Sequence, residues 1–155
     1  MTAAVRFVYL LAAGTWMGVM AFFSFVVAPA TFGVLPSAQA GDVVGVIFPR
    51  YYGMSIGLGV AAFAAALFLR ARSQRPTAWA VALLALVLAL GASAWAGAVV
   101  QPKARRLRLE MQNPAVAQEV KDAWEHAHTT AVALNGVAML AVLTSLGAAA
   151  AALRH

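Results

Sequence analysis

The chain has 155 residues, 63% of them hydrophobic and 10% charged, with a net charge of +6 and a mean hydropathy of +0.83. Soluble domains are nearer half apolar and a quarter charged, and a chain this short hides only part of its surface in water, so a soluble globule is excluded and a lipid bilayer is the expected solvent. The absence of cysteine excludes disulfides, thiolate zinc sites and thiol nucleophiles.

Four runs carry no charge: Phe7 to Ala28, Tyr51 to Leu69, Thr77 to Val100 and Thr129 to Leu153. At about 1.5 Å per residue each can cross a hydrocarbon core of about 30 Å. Backbone groups in lipid must be satisfied within the segment, so each run is expected to be a helix. The predicted architecture is one all-α domain, residues 1–155, an up-down-up-down four-helix membrane bundle with spans at about 5–28, 50–70, 77–100 and 127–153. The basic residues fall between the runs, where headgroups lie. The charge therefore indicates membrane flanks and no nucleic-acid partner.

Taken in chain order, the first run follows Arg6 and is about twice a secretory h-region in length, so it reads as a retained span. Pro29 is expected to end helix one. Gly33, Pro36 and Gly41 predict a turn-rich connection, within which Ser37 caps a short interfacial segment with an apolar side at Val43, Val44, Val46, Ile47 and Phe48. Pro49 suits the first turn of helix two, with Arg50, Tyr51 and Tyr52 at headgroup depth. The next connection, Arg70 to Pro76, is short and basic. The last opens with Gln101-Pro102, and Asn113-Pro114 resembles a helix cap, so helix four is expected to start early and project beyond the membrane. Lysine and arginine number five on the side of the termini and six on the other side. The short Arg70–Arg75 loop favours cytoplasmic termini.

Small-xxx-small pairs at Gly14/Gly18, Gly53/Gly57 and Ala92/Ala96 predict close helix packing. The runs hold no Lys, Arg, Asp or Glu, which weakens a proton relay or a carboxylate-based transporter. Their polar residues are Ser24, Ser55, Ser93, Asn135, Thr144 and Ser145. Hydroxyls commonly bond back to their own helix, whereas the Asn135 amide needs partners across the bundle. His126 and His128 stand roughly 200° apart on a helix and cannot clip one metal together. His128, Asn135 and Met139 share one stripe and are expected to face the interior, where an imidazole could hold haem iron or copper. Trp16, Met20, Phe23, Ser24 and Val27 share a face of helix one. Met17, Met20, Met54 and Met139 offer thioethers to copper, although methionine commonly serves packing.

Trp16-x-Gly18 ahead of "FFSFVVAPATF", Gly41 ahead of "IFPRYY", and His128 seven residues before Asn135 together resemble a family of small four-span membrane proteins of unknown function. It includes the animal cisplatin-resistance-associated transmembrane protein. The resemblance is strongest over residues 14–57 and 102–135. It implies signature positions at Pro29, Phe32, Pro49, Arg50, Tyr51, His128 and Asn135, with Thr129 or Thr130 as a loosely matched hydroxyl. It extends distantly to copper-resistance D type proteins and to haem-dependent protoporphyrinogen oxidases, and so implies a histidine-lined, cofactor-sized space. The oxidase type carries more intramembrane histidine than this chain.

The expected function is non-enzymatic, with no catalytic residues: binding of a small ligand, metal or partner at a polar cluster near one membrane face. Its candidate residues are Trp16, Arg50, Tyr51, His128 and Asn135, with His128 and Met139 as metal candidates. The alternative is a membrane oxidoreductase holding haem b through His128, with Arg50 on a propionate. The expected setting is a bacterial cytoplasmic membrane, with a homo-oligomer or a subunit of a larger complex as further possibilities.

Overall fold

The computed structural model describes residues 2–111, 113 and 115–153. Four long helices follow one another: α1 (Thr2–Val34), α2 (Ser37–Ala71), α3 (Pro76–Glu110) and α4 (Gln118–Leu153). Each is 33 to 36 residues long and apolar enough to cross a membrane. At about 1.5 Å per residue they reach roughly 50 Å, well beyond a hydrocarbon core of about 30 Å. Short turns join them, so neighbours run antiparallel. The α3–α4 interface is the most extensive and the α1–α4 interface the slightest of the four around the ring.

The interior is built from a few large side chains set among alanines. Tyr9, Trp16, Met20, Trp79, Leu86 and Val142 are fully buried beside Ala13, Ala62, Ala66, Ala82, Ala89, Ala138 and Ala149. Small residues let backbones approach, which supplies the packing that lipid cannot drive. Large apolar residues such as Phe7, Phe25, Leu84 and Leu140 face outward, as lipid-facing residues do.

Proline behaves differently from the sequence expectation. Pro29 does not end helix one, and Gln101-Pro102 does not open a loop. Each proline follows a five-residue π-turn, Phe23–Val27 in α1 and Ala96–Val100 in α3, across which the Ala28 and Gln101 amides reach the Phe23 and Ala96 carbonyls. A proline inside an α-helix lacks its N–H and clashes with the carbonyl four residues back. The widened turn moves that carbonyl register and lets the helix continue. Both turns end in the same text, Val-Val-x-Pro, at 26–29 and 99–102. The structure thus contains two parallel helices interrupted in the same way.

Pro49 is inside α2, not at its start, and residues 37–48 continue that helix instead of forming a separate interfacial segment. Ser37 does not cap it, since Pro36 holds the N-cap position without a side-chain bond. This extension is fixed by Arg108, whose Nη2 lies 3.2 Å from Asp42 Oδ1 and also bonds the Ala38 carbonyl. Gly41 lets the guanidinium lie against the α2 backbone, and a Cβ there would make it shift. At the other boundary α4 starts at Gln118, while Asn113 Oδ1 accepts the Ala115 amide at 3.0 Å. Pro114, the other half of the expected cap, lies outside the described residues, as does Arg154. Of the small-residue pairs, Ala92/Ala96 is buried, but Gly14/Gly18 and Gly53/Gly57 face outward, with nothing within 4 Å of a Cβ placed on them.

Candidate functional site

The paired tyrosines of "PRYY" explain why that motif sits in α2. Adjacent residues on a helix point about 100° apart. Tyr51 therefore turns toward the π-turn of α1, where its ring lies 5.0 Å from that of Phe23. Tyr52 turns toward the π-turn of α3 and packs on Gly97, where a Cβ would fall 2.8 Å from its ring. Phe48 joins both tyrosines and Phe23, with ring centroids at 5.4 to 6.5 Å. The two helix interruptions are thus bridged by one aromatic cluster.

Asn135 of α4 completes the cluster. Tyr51 donates its hydroxyl to Asn135 Oδ1. Asn135 Nδ2 donates to Ser24 Oγ at 2.9 Å and approaches Met139 Sδ at 3.6 Å. One amide thereby ties α1, α2 and α4 together, the cross-bundle bonding expected of a carboxamide in hydrocarbon.

Below this network runs a seam between α1 and α2. Gly59 makes room for Trp16: a Cβ there would fall 2.8 Å from the indole and 2.5 Å from Leu90 Cδ2. With Trp16 level with Gly59 and Ser24 level with Tyr51, the antiparallel register sets Met20 opposite Ser55. Trp16, Met20 and Ser55 are 0%, 1% and 1% exposed. Trp16 Nε1 and Ser55 Oγ are buried without a hydrogen-bond partner among the described residues. A buried polar group left unpaired costs about 1–3 kcal/mol, so two on one seam are a notable expense of folding. The seam offers an indole N–H, the Ser55 hydroxyl and the Ser24 proton, with no charged group among them. That set suits a small neutral molecule carrying acceptor oxygens.

The structure therefore brings together Tyr51, Asn135 and Met139, with Trp16 on the adjoining seam. It does not bring in Arg50 or His128. Arg50 is exposed and donates back to the Val46 carbonyl of its own helix at 3.0 Å. His128 is exposed and stacks on Trp124, with centroids 5.2 Å apart and planes 5° from parallel. The expectation that residues 128, 135 and 139 all face the interior fails at its first member. Beyond its π-turn α1 packs on α2, and α4 at that level is covered by α3, so Ala127 is buried and His128 is not. Pro29, Phe32 and Pro49 are exposed as well.

The sequence leaves the cofactor unknown, with haem b and copper as the candidates to test. His126 and His128 are both exposed on α4, and His155 lies outside the described residues. Of the thioethers, Met20 and Met139 reach the seam region, whereas Met54 is half exposed on the outer face of α2. These placements do not fit an axial haem ligand inside the bundle or a converging thioether set. Sequence reasoning named Trp16 but missed its unpaired neighbour Ser55 and the place of Tyr52 and Phe48 in the cluster. The repeated Val-Val-x-Pro could have revealed the two matched interruptions.

Fold and site together define an integral membrane protein of four helices with an uncharged polar seam. The chain belongs to the DUF4149 family, a domain of unknown function, which matches residues 11–113 and so includes Trp16, Ser24, Tyr51 and both π-turns. The match stops before α4. An uncharacterized protein of Aquifex aeolicus (strain VF5) is 49% identical over 49 residues, which is 31% of this chain and 37% of that relative. The chain thus matches well under two thirds of the relative's length. No solved structure matches.

Proposed function

We propose that this protein binds a small neutral polar molecule in the seam between α1 and α2, below the Tyr51–Asn135–Ser24 network, without transforming it. The observation that carries the reading is the pair of buried, unpartnered groups, Trp16 Nε1 and Ser55 Oγ. Ligand oxygens accepting from these groups would recover the hydrogen bonds that folding leaves unmade. In this reading the protein lies in a bacterial cytoplasmic membrane, which the Aquifex relative supports. The arginines of the α2–α3 turn support cytoplasmic termini. The outward glycine pairs of α1 and α2 support assembly with further membrane helices, as a homo-oligomer or a subunit. The proposed kinship with the family of the animal cisplatin-resistance protein, and distantly with the copper-resistance D type, rests on the motif residues Pro29, Phe32, Pro49, Arg50, Tyr51, His128 and Asn135.

Native mass spectrometry of protein extracted in mild detergent tests the binding. Wild type is expected to carry one small adduct that Trp16→Phe and Ser55→Ala together remove. Equal adduct-free masses in both, apart from the substitutions, would refute it. A carboxy-terminal fluorescent fusion should glow if the termini are cytoplasmic.

A further inference from the structure

The opposite end of the bundle carries a cavity with a basic lining. It measures about 360 Å³ and lies where the start of α1, the α2–α3 turn and the end of α4 meet. Arg6, Arg72 and Arg75 line it, with Ser73, Gln74 and the buried Trp79. Among the described residues no Asp or Glu stands near: Asp42, Glu110, Glu119, Asp122 and Glu125 all sit at the far end, in the start of α2, the end of α3 and the start of α4.

Three guanidiniums line one cavity, so an anion seated there meets positive charge from three side chains. Two are also held in place. Arg72 lies over the Phe68 ring, 4.0 Å from its centroid, and Arg75 donates to the Ala151 carbonyl at 3.0 Å. Each guanidinium has five N–H donors, so Arg75 commits one and keeps a fork suited to an oxyanion. The first turn of α3, which opens at Pro76 beside Arg75, presents unbonded amides of positive partial charge, set against the carbonyl ends of α2 and α4. The apolar floor at Trp79 and the position at the end of four membrane-length helices place the cavity at headgroup level.

We propose that this cavity binds a phosphate-bearing anion through Arg6, Arg72 and Arg75. Its placement favours the headgroup of an anionic phospholipid over free phosphate. The site is independent of the neutral seam.

The full chain, purified in detergent, would be incubated with equimolar phosphatidylglycerol and phosphatidylcholine, and bound lipid measured by native mass spectrometry. Wild type should retain the anionic lipid over the zwitterionic one by about tenfold, since each arginine near an anionic surface contributes appreciably. Arg72→Gln with Arg75→Gln should bring that ratio close to one. Arg105→Gln with Arg106→Gln, at the far end of α3, should leave it unchanged. Millimolar inorganic phosphate that displaces the lipid and binds alone would assign the site to free phosphate. Failure to displace it assigns the site to the headgroup. Equal retention of the two lipids by wild type overturns the proposal, as does an unchanged ratio in the glutamine pair. If that pair does not fold, Arg6→Gln is read instead, and a ratio equal to wild type is again fatal.

Discussion

Two polar ties hold this bundle, and they are finished differently. Near the termini, the Tyr9 hydroxyl lies 2.7 Å from Ser145 Oγ and 2.9 Å from the Ser145 carbonyl, while the Ser145 hydroxyl donates to the Ala82 carbonyl at 3.1 Å. Tyr9 also meets Trp79 edge-on at 5.2 Å. That knot joins α1, α3 and α4, and the polar atoms within it are partnered. The second tie, Tyr51–Asn135–Ser24, joins α1, α2 and α4 beside the π-turn of α1, and the seam beneath it leaves Trp16 and Ser55 unpaired. A closed knot serves packing. The second, beside a helix interruption, leaves two polar groups without a partner among the described residues.

The sharpest way to break the contrast is to overfill the seam at its tightest point. Gly59→Leu should drive Trp16 and Leu90 out of place and lower stability by about 3 kcal/mol, read as thermal unfolding in detergent. A fully stable Gly59→Leu would mean that the seam has slack. Asn135→Ala strands the Tyr51 hydroxyl and should cost about 2 kcal/mol by the same assay. Tyr9→Phe tests the closed knot: Ser145 keeps its bond to Ala82, so the loss should be about 1 kcal/mol. The smallest effect is the most telling. Ser55→Ala removes an unpaired group and loses no bond, so it should leave the empty protein at least as stable as wild type. A loss like that of Tyr9→Phe would show Ser55 to be a structural member of the bundle, and the two ties would then be alike.

The residues differ in how legible these roles are. Asn135 announces itself, because a carboxamide within a charge-free run must bond across the bundle. Thr144 follows the local rule and donates to the Leu140 carbonyl at 2.8 Å. Ser145, one residue on, breaks it by reaching α3 and α1. Both carry the same chemistry, and only the neighbouring helix decides between them. His128 shares the stripe of Asn135, yet a stripe is buried only where another helix covers it, and at that level α4 has α3 on the Ala127 side. Gly14 and Gly53 carry packing motifs that face outward, since spacing specifies a surface and not its occupant.

The sequence alone determined the four membrane helices, their antiparallel order and the need of Asn135 for a partner. Those follow from the exclusion of charge and of unpaired backbone from hydrocarbon, which acts locally along the chain. The tertiary structure decided that Pro29 and Pro102 ride over π-turns, that Tyr51 and Tyr52 divide between those turns, and that Trp16 and Ser55 are left open. Each of these depends on what stands across a helix interface, and a linear pattern carries no record of that distance.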